Sequence, residues 1–255
     1  MQLAQLLTQE SIVLFILLFS RMSGLMAFFP FFSHSAIPMT IKASIAFYFT
    51  LLFFPQVAPL QEVTSMMSLF LMVIMEFALG FIAGLALNMI FGALGLAGMQ
   101  VSMVMGFSMA TVMDPVSQTN SPIISQFFTL LSLLVMLSFD GHHLILLFIS
   151  ESVNHLTLGG FYPTESMWEY LTLAFKNLFV IGFMIAFPII ALSILSDVIF
   201  GMLMKTMPQF NLLVVGFPIK IFLSVMVLMA VLGAMMSIFK KEFIDVFYFL
   251  KTLYL

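Results

Sequence analysis

Apolar residues along this chain do not alternate with polar ones; they run nearly unbroken over 11–32, 41–60, 66–106, 123–149, 171–199 and 212–239, with polar or proline-marked breaks between. About 20 apolar residues at 1.5 Å rise each cross the hydrocarbon of a bilayer, and only helices or closed barrels satisfy their backbone groups there. Runs this long predict an all-α, polytopic membrane protein of about six long, kinked hydrophobic helices arranged as hairpins. The third run is about twice the length one crossing needs. Pro55 and Pro188 are expected to kink the second and fifth. Gly80 and Gly84 in the third have the small-xxx-small spacing that lets helices approach closely. Beyond residue 240 the pattern changes: Phe243, Phe247, Leu250 and Tyr254 recur at helical spacing among charged residues. That predicts an interfacial amphipathic tail over 241–255, set apart from a membrane domain over 1–240.

Composition sharpens this picture. The 255 residues are 63% hydrophobic and 7% charged, against about half and about a quarter in a soluble domain. A chain with 32 Phe and 24 Met cannot cover its apolar surface with polar side chains, so lipid or sister subunits must cover it. No hydrophilic stretch reaches the roughly 40 residues that a small independent domain requires. With no Cys, disulfide frameworks, thiolate metal sites and cysteine nucleophiles are excluded. The net charge of -3 and the scattered Lys and Arg predict no nucleic-acid partner. No Lys or Arg precedes the run beginning at Ile12, so a cleavable signal peptide is not expected. Charge topology conflicts with itself. Lys240, Lys241 and Lys251 read as cytoplasmic, while the connection holding Glu151, Glu165 and Glu169 reads as external, with two spans between them.

Among the ionisable residues within apolar runs, Arg21, Glu76, Lys176 and Asp197 are the natural starting point, and each costs about 2.5–3.5 kcal/mol unless paired or hydrated. For Arg21 and Glu76 one reading is an ion or proton pathway, as in a stand-alone secondary transporter or channel. The other is structural pairing inside an assembly, favoured because Glu76 stands alone in its segment. Asp140-Gly-His142-His143 is the one cluster resembling a metal or catalytic constellation. Adjacent histidines on a helix point about 100° apart and are not expected to converge on one ion. Asp140 reads instead as a turn residue capping the next helix. No catalytic, metal or cofactor-binding residue is assigned, and an enzyme is not expected. Met99, Met103, Met105, Met109 and Met113 cluster ahead of and into a small, polar stretch running to Pro122. Flexible Met side chains can seal around varying shapes, so Met99, Met103 and Met105 are gasket candidates, with composition bias as the bland alternative. The stretch itself reads either as a pore-lining segment or as an ordinary extramembrane loop.

Several stretches resemble the FliR family of flagellar export proteins and its injectisome counterparts. They are Arg21-Met-Ser-Gly-Leu with Pro30, Ile37-Pro38 with Lys42, Ala97-Gly98-Met-Gln100 through Gly106-Phe to Asp114-Pro115, and Asp140-Gly-His-His143. The most specific is Met207-Pro208-Gln209-Phe-Asn211 leading to Gly216-Phe-Pro218-Ile-Lys220. The resemblance implies a non-enzymatic subunit, needing no cofactor, of a protein-export gate in the bacterial inner membrane at the flagellar basal body. It implies a ring completed with FliP and FliQ subunits beside FlhB and FlhA, with exported flagellar proteins in transit and lipid around it. About 1–150 would be the FliP-like part and about 151–240 the FliQ-like part. It further implies a plug made by Gly106, Phe107, Ser108, Met109, Ala110, Thr111, Val112, Met113, Asp114 and Pro115. Arg21, Glu76, Gln100, Pro208, Gln209, Asn211, Pro218 and Lys220 would make structural or partner contacts.

Overall fold

A computed structural model describes residues 9–29, 37–58, 65–107, 122–207 and 211–252. Among them the regular structure is helical: α1 (Gln9–Phe28), α2 (Met39–Phe53), α3 (Met66–Met105), α4 (Ile123–Ser138), α5 (Gly141–His155), α6 (Glu165–Thr206) and α7 (Phe217–Thr252). A 3₁₀ turn, Phe54–Gln56, follows α2, and a π turn, Leu212–Gly216, leads into α7. The protein is an all-α polytopic membrane protein.

The elements differ from the sequence-based expectation where proline and aspartate act. Pro55 sits inside the 3₁₀ turn and ends α2, because its ring blocks the helical hydrogen bond, so α2 has 15 residues and no kink. At about 22 Å, α2 is too short to cross the hydrocarbon. Pro188 lies within the continuous 42-residue α6. The expected run 123–149 is two helices, broken where Asp140 takes a left-handed backbone with φ 58°. Of the six expected hydrophobic segments, four correspond among the described residues to helices long and apolar enough to cross, Glu10–Phe28, Met66–Met105, Met167–Thr206 and Val214–Thr252. A fifth is added if the pair flanking Asp140 counts as one broken span. At 40 residues, α3 is about 60 Å long, twice the hydrocarbon thickness.

The chain folds into two compact units. The first comprises Met1–Met89, Phe139–Ala174 and Phe243–Leu255. Its core is built from Leu18, Met22 and Leu25 of α1, Ala83 and Leu87 of α3, Ile149 of α5, and Phe243 and Leu250 of α7. The 241–252 stretch is thus the end of α7. The apolar stripe expected at a membrane surface is spent on protein packing, with Phe243, Phe247 and Leu250 all buried. The second unit comprises Ile90–Ser138 and Phe175–Glu242. Leu94, Ala97 and Met105 of α3, Phe128 of α4, Ile189 of α6 and Phe239 of α7 fill its interior.

Glycines set the helix approaches inside each unit. In the first, a Cβ on Gly24 would run into the Phe77 carbonyl and one on Gly80 into the Arg21 carbonyl, so α1 and α3 touch backbone to backbone. In the second, Gly98 meets the backbone of Ser125, whose hydroxyl donates to the Gly95 carbonyl at 2.9 Å.

Candidate functional site

The close crossing of α1 and α3 carries the buried charges. Arg21 stands three residues before Gly24, and Glu76 four before Gly80, so both side chains leave the helices at the contact itself. Arg21 Nε donates to Glu76 Oε2 at 2.6 Å, with the two side chains only 3% and 0% exposed. Arg21 Nη1 donates to the Ser152 carbonyl on α5 at 2.8 Å. The other Glu76 oxygen accepts the Gly159 N–H at 2.7 Å. Gly159 has φ 82°, a conformation that disfavours any Cβ, and a Cβ there would also press on Met72. One ion pair therefore ties α1, α3, α5 and the turn after α5 together. Both carboxylate oxygens are engaged, while Arg21 Nη2 is buried and has no partner among the described residues.

The second unit has its own pair. Lys220 Nζ, buried on α7, donates to Asp197 Oδ1 and Oδ2 of α6 at 2.7 and 2.8 Å, and the Asp197 side chain stays largely exposed. Spacing along the sequence gave no direct sign of either pairing; the one available signal was opposite charge in two apolar runs, each too costly to stand alone. Lys176 is exposed on α6.

The end of α3 has a defined stop. Phe107 N–H bonds the Ser102 carbonyl at 3.0 Å and Gly106 N–H bonds the Met103 carbonyl at 3.2 Å, with Gly106 at φ 89°. This pairing of a long and a short bond around a left-handed glycine is the Schellman ending. A Cβ on Gly106 would also press on the Phe217 ring at 3.1 Å. Of the sequence-predicted plug, Gly106 and Phe107 belong to this stop. Ser108, Met109, Ala110, Thr111, Val112, Met113, Asp114 and Pro115 lie outside the described residues. Met99 and Met103, one helical turn apart, are exposed, whereas Met105 is fully buried in the second unit. Gln100 Oε1 is buried with no partner among the described residues, as are the hydroxyls of Ser102 and Ser224.

Pro208 and Gln209 also lie outside the described residues. Asn211 accepts the Val214 N–H on its side-chain oxygen at 3.4 Å and the Val215 N–H on its carbonyl at 3.0 Å, capping the π turn. Pro218, exposed, is the second residue of α7, directly after the π turn.

Asp140 behaves differently from expectation. It stands at the start of α5, yet its side chain makes no capping hydrogen bond. The two histidines do not diverge: their ring centroids are 4.2 Å apart, and Asp140, His142 and His143 bring one candidate ligand atom each within 4.8 Å of the others. The left-handed Asp140 backbone turns its carboxylate toward His143, at 3.4 Å.

Fold and charges together define an all-α polytopic membrane protein in which the buried charges Arg21, Glu76 and Lys220 are neutralised within the chain. The sequence pattern of bacterial export proteins, family 1, matches residues 12–246, and the chain belongs to that family. Among its relatives, the flagellar biosynthetic protein FliR of Bacillus subtilis is 30% identical over 232 residues, covering 90% of both chains. The FliR proteins of Escherichia coli and Aquifex aeolicus are 27% and 28% identical. They cover 89% and 94% of this chain and 87% and 93% of their own lengths.

Proposed function

We propose that this chain is a non-enzymatic structural subunit of the export gate of the bacterial flagellar type III secretion system. In this reading it sits in the inner membrane at the flagellar basal body and forms the protein-conducting pore with FliP and FliQ subunits, next to FlhA and FlhB. The stretch after Gly106 acts as its plug, and exported flagellar proteins pass when that plug moves. The observation that carries the reading is similarity to FliR proteins along nearly the whole chain. The end of α3 supports it. A rigid Schellman stop hands the chain to a small, polar stretch, next to two exposed methionines suited to sealing around an irregular surface. Of the gasket candidates, Met99 and Met103 take that role, since Met105 is committed to the core.

Arg21 and Glu76 serve as a staple in this account. A carboxylate with both oxygens bonded is a poor relay for ions or protons, which weighs against a self-contained transporter. Deleting residues 110–118 is expected to raise the ion conductance of the closed complex in a planar bilayer. Unchanged conductance removes the plug from the account while leaving the family membership standing.

A further inference from the structure

The start of α5 gathers three side chains of the kinds that ligate metals. Asp140, His142 and His143 present one candidate ligand atom each, all within 4.8 Å of one another. The two imidazole rings lie 4.2 Å apart between centroids and 36° from parallel, so neighbours that a regular helix splays apart are folded to one side here. Asp140 Oδ1 and His143 Nδ1 stand 3.4 Å apart. A hydrogen bond draws such a pair to about 2.7–3.2 Å. Two donors that share one zinc ion at about 2.0–2.1 Å, in tetrahedral geometry, lie about 3.3–3.4 Å apart. A separate sign comes from His142 Nδ1, which is buried with no hydrogen-bond partner among the described residues. A buried polar atom left unpaired has given up water without return, and a ring nitrogen recovers that loss when it gives its lone pair to an ion.

We propose that Asp140, His142 and His143 bind one divalent transition-metal ion, of which Zn²⁺ is the type, at the start of α5. Two imidazoles and one carboxylate suit such an ion, whereas Mg²⁺ and Ca²⁺ take oxygen donors. Three protein ligands leave a fourth position for water. The Asp140 and His143 side chains are 73% and 67% exposed, so an ion can enter and leave from the surface. A helix N-terminus is itself partly positive and disfavours a cation; the negative charge that admits one comes from Asp140. This gives a use to a carboxylate that stands at a helix start and makes no capping hydrogen bond. Once bound, the ion ties the residue before α5 to two residues of its first turn and holds that turn in place. The inference rests on the local geometry and is independent of the gate reading.

The test is isothermal titration of Zn²⁺ into the full, untagged chain in detergent after EDTA treatment, with thermal melting as a second readout. The expected result is one ion bound per chain, not displaced by excess Mg²⁺, and a melting temperature raised because the ion prefers the folded state. His142→Gln and His143→Gln are each expected to weaken binding by about 100-fold or more, since losing even an outer partner of a ligand costs about 10–100-fold. Asp140→Asn keeps a residue that tolerates the left-handed backbone and is expected to weaken binding less, because a carbonyl oxygen remains. His155→Gln, at the far end of α5, is the control and is expected to bind Zn²⁺ as the parent chain does. Circular dichroism of each variant checks that the helices remain, and the exposed positions of Asp140 and His143 leave the core untouched. Absence of binding to the parent chain overturns the proposal, as does binding that persists unchanged in His142→Gln and His143→Gln or falls equally in His155→Gln.

Discussion

Arg21 and Glu76 show what a single residue discloses and what it does not. Each is conspicuous as a charge in an apolar run, and its cost on insertion requires a partner somewhere. That they answer each other across α1 and α3, with Gly159 and Ser152 completing the set, depends on contacts between residues more than fifty positions apart. Removing one member strands a buried charge, which costs about 3–5 kcal/mol. Arg21→Met and Glu76→Leu are each expected to lower the melting temperature of the detergent-solubilised chain sharply, and the double substitution to recover most of the loss. A double variant as damaged as the sum of the singles would show that the pair is not coupled. Asp140 teaches the opposite lesson: propensity correctly marks it as a helix boundary, yet its carboxylate turns to His143 and leaves the cap unused.

At the scale of elements, helical character and approximate extent follow from the apolar runs, because backbone groups surrounded by hydrocarbon have few alternatives to a helix. Ends were less legible. Pro55 terminates a helix where a kink was expected, since a proline in the last turn removes a bond that few following residues could restore. The Gly-x-x-x-Gly spacing marks close packing but not its partner. Gly80 meets α1, and Leu at that position is expected to destabilise the chain by about 1–3 kcal/mol or more. Gly201→Leu is the control, because a Cβ there meets nothing within 4 Å. Thermal melting of the two variants side by side checks the difference, and equal stabilities would mean that the α1–α3 crossing is not tight.

At the scale of the whole molecule, the surface remains as apolar as the composition demands. Phe175, Phe179, Phe183 and Phe187 form a half-exposed ridge along α6, one residue per turn, which lipid or neighbouring subunits must cover. Co-expression with FliP-like and FliQ-like neighbours is therefore expected to yield, by native mass spectrometry, a complex containing one copy of this chain. A lone monomer, under conditions where those partners assemble, would count against the gate. The charge conflict also takes on a local meaning at this scale. Lys251 and Glu151 are neighbours, 3.9 Å apart, so at this point the tail's positive charge is answered by the acidic connection and is a poor guide to orientation.

Hydropathy alone determined that this protein is helical, membrane-embedded and unable to stand as a soluble domain, because the energy of exposing so many Phe and Met overrides every local preference. Specific short stretches, above all the one ending in Lys220, pointed to its family. Only the tertiary structure decided which charges neutralise each other, which methionines are exposed and which are core, and that Phe243, Phe247 and Leu250 of the tail stripe are buried. These outcomes turn on which helix faces meet, and periodicity within one helix carries no information about the helix that will lie against it.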